Sequence, residues 1–129
     1  MNKLVSFHLN KLLKYSGFDY HQLYQEQSDE YDYLIEEQYH RRHNSDFSED
    51  QFPNDNWLPV PHIHQVVDWL YKTHNIWISV ENLIDNKFYF SIRDTKTNDY
   101  ASRKGCDEDG YESDDQAYEA AIKYYLINN

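Results

Sequence analysis

The chain has 129 residues, the usual size of one domain, and its single cysteine excludes an internal disulfide bond. Apolar residues make up 40% of the composition and aromatic residues 17%, too much for a fully disordered chain. The net charge of −11 repels phosphate, so recognition of DNA or RNA through lysine and arginine is disfavoured, and basic partners are favoured.

The start of the chain lacks the basic and apolar runs of a secretory signal, and no stretch is apolar enough for a transmembrane helix. We therefore expect a cytoplasmic protein without membrane contact. In chain order, the first organised segment is SFHLNKLLKYSG, which predicts an amphipathic helix. Ser6 can cap the start of this helix, and Leu9, Leu12 and Leu13 share one face. Gly17 suits the left-handed conformation that commonly ends a helix.

The next segments alternate partly between aromatic and polar residues. HQLYQEQ at 21–27 and YDYLIEEQY at 31–39 are typical of strands on a half-solvated antiparallel sheet. RRHNSDFSEDQFPNDNWLPVP follows and is dense in Asn, Asp, Ser and Pro. This composition predicts a polar loop at about 41–60, which we expect to be mobile.

Two further elements are read from their periodicity. Pro61 suits the first turn of a helix, and the apolar residues Ile63, Val66, Val67 and Leu70 then recur at helical spacing, which predicts a helix over 61–74. The runs IWISV at 76–80 and FYFSI at 88–92 alternate β-branched or aromatic residues with polar ones and predict a hairpin closed by the loop 81–87. Residues 94–104 suit either a further irregular strand or an extended loop.

The last segment, SDDQAYEAAIKYYL, predicts a C-terminal helix. Ser113 and Gln116 have the spacing of a capping box, and Asp114 and Asp115 lie in the first turn, where the helix dipole favours acids. One face of this helix is apolar or aromatic and comprises Ala117, Tyr118, Ala120, Ala121, Ile122, Tyr124 and Tyr125.

Immediately before this helix the chain is strongly acidic, with six carboxylates in the nine positions from Asp107 to Asp115. A calcium-binding EF-hand loop is not a match: aligning Gly110 with its invariant glycine places Gly105 and Gln116 where carboxylates are needed. Helix capping accounts for Asp114 and Asp115. The remaining residues form the candidate partner-binding site: Asp107, Glu108, Asp109, Tyr111 and Glu112.

Metal or nucleophilic chemistry has weaker support in the sequence. The seven histidines do not have zinc-motif spacing, and in a helix His62 and His64 would diverge by roughly 200 degrees. Cys106 lies beside Asp107 and Glu108, whose negative charge disfavours a thiolate. The positive charges of Arg103 and Lys104 have the opposite effect and favour one. We therefore predict no catalytic residue, cofactor or metal. A small enzyme based on a metal, or on carboxylates and histidines, is the alternative.

The order of the segments also resembles that of a known group of proteins. PHIHQVVDWLYKTHNIWISV, the aromatic hairpin strand and GYESDDQAYEAAIKYYL are similar to small uncharacterised proteins of gut Bacteroidetes and their phages. The likeness covers the two ends of the chain and rests on Trp69-Leu70, Gly17-Phe18-Asp19, and Tyr111-Glu112-Ser113 with Ala117 and Ala120. It departs at Pro61-His62-Ile63, where the group has Pro-Thr-Gln, and at the more acidic residues 107–109. The resemblance implies a phage or mobile-element origin and no reaction or cofactor.

These observations predict a single α+β domain over 1–129, with an antiparallel sheet of three to five strands packed against about three helices. We expect non-catalytic binding to a protein partner, favouring a basic nucleic-acid-binding protein whose nucleic acid the carboxylates would imitate, and an inhibitory, anti-defence role. Tyrosines interleaved with the acids suit such a contact or, alternatively, only a pleated sheet surface: Tyr20, Tyr24, Tyr31, Tyr33, Tyr39, Tyr100 and Tyr111. The oligomeric state is not indicated.

Overall fold

The structure is a computed structural model that describes residues 3–20, 22–23, 30–35, 38–43, 58–102 and 110–128. Helices and antiparallel strands both occur, so the predicted α+β class is confirmed. The chain divides into two compact units, one of Leu4–Pro61 and one of Met1–Lys3 with His62–Asn129. The organisation as a single domain stays a prediction.

The first unit begins with helix α1, Phe7–Tyr15, and both of its predicted ends are confirmed. The Ser6 hydroxyl accepts a hydrogen bond from the Leu9 amide at 3.3 Å. At the other end Gly17 has a φ of +83°, and the Phe18 amide donates to the Leu13 carbonyl at 3.0 Å. This is the Schellman arrangement, in which a left-handed residue turns the chain back onto the last carbonyls of the helix.

A polar network lies inside this unit. Asn10, on α1, is 0% exposed, and its amide nitrogen donates to the Pro59 carbonyl at 3.0 Å. The Tyr20 hydroxyl lies 2.6 Å from Asn10 Oδ1 and 3.0 Å from the Asn10 carbonyl oxygen. Burial raises the pKa of Tyr20 far above its ordinary value. The apolar residues buried in the same unit are Val5, Leu9, Leu13, Phe18, Leu23 and Val60.

Alkaline unfolding should report the burial of Tyr20. Its pKa is raised from the ordinary value of 10.0, so the folded state holds the hydroxyl proton more tightly than the unfolded state does. The resulting stability is complete below pH 10 and is lost as the pH rises above that value. We expect the free energy of unfolding, measured with urea, to fall less steeply between about pH 9 and 11 in Tyr20→Phe than in the parent. Equal slopes would contradict the assignment.

The strands of the first unit form an antiparallel sheet of order β2-β1-β3: β1, Glu30–Ile35, β2, Gln38–His43, and β3, Leu58–Pro59. The predicted strand at 31–39 is therefore two paired strands, with Tyr33 opposite His40. The predicted loop at about 41–60 is wrong at 41–43 and 58–59, because pairing with β1 makes these residues strand. Residues 44–57 lie outside the described residues.

The predicted strand at 21–27 is wrong where the structure describes it. Residues 20, 22 and 23 are helical. The Asp19 carboxylate accepts a hydrogen bond from the Gln22 amide at 2.9 Å, which is how aspartate caps a helical turn. The local cap thus prevails over the partial alternation on which the strand prediction relied, and residues 24–27 lie outside the described residues.

The second unit opens with helix α2, Ile63–Trp69, which continues as a π-helical turn, Leu70–His74. The predicted helix at 61–74 is confirmed except at its start, where His62 is an extended N-cap residue with ψ 156°. Gln65 fixes that start, since its side-chain oxygen accepts from the His62 amide at 2.7 Å. The helix ends at Asn75, which adopts the left-handed conformation. Its buried residues are those of the predicted stripe: Ile63, Val66, Val67 and Leu70.

The predicted hairpin is confirmed as β4, Ile76–Asn82, and β5, Phe88–Asp94. The predicted loop at 81–87 is wrong at 81 and 82, because these residues pair with β5. Strand β6, Tyr100–Ser102, extends the sheet on the β5 side. Ile78 lies opposite Ile92 on the buried face, whereas the Ser79 and Ser91 hydroxyls lie 2.6 Å apart on the other face. The described strands thus form two antiparallel sheets of three, so one sheet of three to five strands is not confirmed.

Helix α3, Asp114–Asn128, packs on β4 and β5 and contacts α2. The Ser113 hydroxyl accepts from the Gln116 amide at 3.2 Å, as the capping box predicts. The Gln116 side chain, however, accepts from the amide of Glu112 at 3.2 Å. Ala117, Ala121 and Ile122 are buried on the predicted face. No helix within the described ranges is long and apolar enough to cross a membrane.

Candidate functional site

The acidic candidate site is described only at its C-terminal end. Asp107, Glu108 and Asp109 lie outside the described residues, whereas Tyr111 and Glu112 lie between β6 and α3. The described geometry of the acidic segment, residues 107–112, is therefore that of its last three residues, 110–112.

Tyr111 attaches this segment to β5, on the side of the strand opposite β4. Its amide donates to the Phe88 carbonyl at 2.8 Å and its carbonyl accepts from the Phe88 amide at 2.9 Å, an antiparallel bridge. The Tyr111 ring is half-buried and lies 6.1 Å from the Phe90 ring, centroid to centroid. Tyr111 thus anchors the segment by its backbone, and part of its ring is covered by the sheet.

Residues on both sides of the acidic segment pair with β5, Ser102 before it and Tyr111 near its end. Ser102 lies opposite Ile92, and a ladder continued from that pair would place residue 106 opposite Phe88. Tyr111 lies there instead, five residues later. Ile92 and Phe88 are four residues apart on one strand, or roughly 13 Å. The chain between the two anchors is therefore five residues longer than a straight strand requires.

Glu112 is the described carboxylate of the candidate site. Its side chain is 76% exposed and forms an ion pair with the Lys87 ammonium group. An ion pair this exposed contributes on the order of 0.5 kcal/mol or less, because water screens it. Glu112 therefore remains accessible, but one of the chain's own lysines partly neutralises it.

Gly110 brings the segment unusually close to β5. Its φ is +73°, and a Cβ atom at this position would lie 2.8 Å from Lys87 Cβ and 2.9 Å from the ring of Tyr89. Both the backbone conformation and the available space therefore require glycine here. The close approach fixes the position of Gly110 against Lys87 and Tyr89.

The tyrosines that the sequence suggested for contact with a partner differ in their exposure to solvent. Tyr20 is buried in the first unit, so its assignment to a contact surface is wrong. Tyr100 is exposed on β6, and Tyr111 is half-buried. The structure does not describe the side chains of Tyr24, Tyr31, Tyr33 and Tyr39.

An exposed aromatic group was missed in the sequence. Tyr71 and Trp77 are both exposed, and their rings meet edge to face at 5.5 Å. The strand register places Trp77 opposite Arg93 and Arg93 opposite Tyr100. Strict alternation in IWISV could have revealed it, because Trp77 lies between two buried isoleucines and must face the other way.

The histidines differ from the prediction at one place. The His62 and His64 rings lie 5.6 Å apart, centroid to centroid, so the predicted divergence is wrong. The reason is that His62 is extended and not helical. Among the residues that the structure describes, no group of three or more His, Cys, Asp or Glu side chains could hold a metal ion.

A second histidine environment lies at the end of the π-helical turn. His74 Nδ1 lies 3.4 Å from the Tyr125 hydroxyl, and its ring meets that of Trp69 edge to face at 4.8 Å. Burial raises the pKa of Tyr125, and the Asp94 carboxylate raises it further. These contacts join the helix end to α3 and are accounted for by packing.

Comparison with models of protein families, with curated proteins and with solved structures found no match to this chain.

Proposed function

We propose that the protein acts without catalysis, by binding a basic macromolecular partner through the acidic segment that ends at Tyr111 and Glu112. A nucleic-acid-binding protein is the favoured partner, and inhibition in the cytoplasm of a phage or mobile-element host is the favoured role. The observation that carries the proposal is the density of carboxylates in a segment longer than its two anchors on β5 require.

The physical support is electrostatic. Carboxylates at successive positions of one segment create a local negative field that attracts basic surfaces and raises association rates at low salt. Glu112 adds an exposed charge beside the sheet. Backbone bonds to Phe88 and the close approach of Gly110 hold that end of the segment in place, which reduces the ordering that binding would require.

Charge reversal tests this proposal. A variant with Asp107, Glu108, Asp109 and Glu112 changed to lysine should lose capture of basic nucleic-acid-binding proteins from host lysate. In the parent, capture should weaken steeply as salt rises from 50 to about 300 mM, because the attraction is screened. Quantitative mass spectrometry of the eluted proteins measures both effects.

A matched control separates the segment from the total charge. Four exposed carboxylates in the same unit give the same change of net charge when reversed to lysine: Asp68, Glu81, Asp85 and Asp99. We expect this control to keep most of the capture. Equal loss in both variants would mean that only net charge matters, and capture that survives reversal of the acidic segment would exclude it as the contact.

The alternative is a small enzyme based on a metal, or on carboxylates and histidines. Elemental analysis of purified protein by mass spectrometry and a thermal shift with EDTA distinguish the two functions. A metal retained at one equivalent through purification, with a melting temperature that falls on chelation, would favour the metal-dependent form of the alternative.

A further inference from the structure

Hydrogen bonds at the two ends of β4 show which way each of its peptide groups points. The Leu83 amide donates to the Lys87 carbonyl at 2.9 Å, and the Thr95 amide donates to the Asn75 carbonyl at 2.8 Å. Both pairs continue the register of β4 with β5. Because bonded and non-bonded pairs alternate along an antiparallel ladder, the odd-numbered residues of β4 bond to β5. The even-numbered residues therefore point their N–H and C=O groups away from β5.

These outward peptide groups lie at a free edge, since the described sheet has the order β4-β5-β6. Within the described ranges they bond to no other residue, and they belong to Ile76, Ile78, Val80 and Asn82. Ile76 and Ile78 are buried, where an unpaired peptide group is costly. Val80 is half-buried and Asn82 is exposed, so the edge opens to solvent at this end. The edge of β4 thus has the hydrogen-bonding groups to accept another strand.

The opposite edge of the sheet has features that commonly prevent such pairing. β6 is three residues long, and its register with β5 shifts between Ile92 and Arg93. Short strands, bulges, lysine and proline are the usual means by which proteins protect a sheet edge. β4 has none of them: it is seven residues long, pairs regularly with β5 and contains neither lysine nor proline. The edge of β4 is therefore the one suited to strand addition.

The distribution of charge favours a second copy of this chain as the added strand. Tyr111 attaches the acidic segment to β5 on the side opposite β4, so pairing between two β4 strands keeps both acidic segments at the outer edges of the joint sheet. At a strand spacing of about 4.8 Å, the two attachment points would be roughly 24 Å apart, beyond the Debye length of about 8 Å. Within β4 itself the charged residue is Glu81. Repulsion between two acidic chains is thus weak at this edge.

We propose that the protein forms a symmetric dimer by antiparallel pairing of β4 with β4 of a second copy. About a two-fold axis the same patch faces itself, so the outward N–H groups of each strand meet the outward C=O groups of the other. Pairing also covers Val80, which lies on the same face as the buried Ile76 and Ile78 but is only half-buried. The dimer goes beyond the binding function proposed above and does not depend on it.

Amide hydrogen exchange of the unmodified full chain tests the dimer without any substitution. As the protein concentration rises from about 10 μM to about 1 mM, exchange should slow at the even-numbered amides of β4. This slowing should be at least about tenfold larger than at Trp77, Ser79 and Glu81, whose amides already bond to β5. Sedimentation equilibrium of the same samples should give the mass of a dimer. A monomer at the highest concentration, or equal slowing at odd and even amides, would overturn the proposal.

A substitution at the middle of the edge gives a second test. Val80→Pro removes an outward N–H group and leaves the bonds of the odd-numbered residues to β5 in place. The dissociation constant of the dimer should rise at least about tenfold, because the proline ring also keeps the neighbouring strand away. Val80→Thr is the matched control, since threonine keeps the amide and the β-branched shape, and it should associate like the parent.

The outcomes of the two tests are distinguishable. Equal dissociation constants in the parent, Val80→Pro and Val80→Thr would contradict pairing through β4. If circular dichroism shows that Val80→Pro does not fold, the exchange pattern of the unmodified chain decides. Failure of the charge-reversal experiment would leave the dimer intact, because the acidic segment lies outside β4.

Discussion

Replacing Asn10 with leucine is expected to lower the free energy of unfolding by about 2–3 kcal/mol. The side chain is fully buried, and its loss leaves the Pro59 carbonyl without its 3.0 Å donor and the Tyr20 hydroxyl with only the Asn10 backbone carbonyl as acceptor. A buried polar group that loses its partner costs about 1–3 kcal/mol, more than the net worth of the hydrogen bond itself.

A double-mutant cycle of Asn10→Leu with Tyr20→Phe should measure the coupling energy between these two residues. Asn10→Leu leaves the Tyr20 hydroxyl with only the Asn10 backbone carbonyl, and Tyr20→Phe leaves Asn10 Oδ1 without its donor, whereas the double variant removes this side-chain contact from both sides. The double variant should therefore be less destabilised than the sum of the singles, by about 1 kcal/mol or more. Urea unfolding followed by circular dichroism gives the four free energies. Additive effects would show that the two residues contribute independently.

Gly110→Ala is expected to be more damaging than the same change at Gly17, the other glycine that the structure describes. The new Cβ would meet Lys87 Cβ and the Tyr89 ring at less than 3.0 Å, and alanine is also strained at a φ of +73°. Strain of this kind costs about 1–3 kcal/mol, and the steric conflict adds to it. The change should also loosen the bridge between Tyr111 and Phe88, since that pair lies next to the conflict.

Gly17→Ala is the matched control for this prediction. Gly17 has a φ of +83°, but a Cβ atom there would have no atom within 4 Å, so strain alone remains. Its loss of stability should be about 1 kcal/mol and clearly smaller than that of Gly110→Ala. Amide hydrogen exchange at Phe88 and Tyr111 gives a second readout, which should increase in Gly110→Ala and stay unchanged in Gly17→Ala. Similar losses of stability would contradict the steric argument.

Several elements could be predicted because their determinants lie within a few residues of one another. The Ser6 cap and the Gly17 stop delimit α1, and Ser113 caps α3 where predicted. The hairpin of β4 and β5 follows from alternation and a short connection. In each case the relevant hydrogen bonds or side-chain spacing involve neighbouring turns or adjacent strands, which periodicity and capping rules describe well.

Other features depended on residues far apart in the chain. Residues 41–43 are polar enough to suggest a loop, and only pairing with β1 makes them a strand. His62 belongs to the predicted helix by its spacing, yet its extended conformation brings it beside His64. The acidic segment shows four carboxylates in the sequence, but the pairing of Ser102 and Tyr111 with β5 on either side of it appears only in the fold.

The sequence by itself thus determined the fold class, both ends of α1, the start of α3 and the acidic character of the candidate site. The tertiary structure alone decided that Tyr20 is a core residue bonded to Asn10, that Gly110 faces a neighbour too close for any side chain, and that Trp77 points outward. The physical reason is that capping and periodicity act over one or two turns, whereas burial and close contact are set by segments that meet only after the chain has folded.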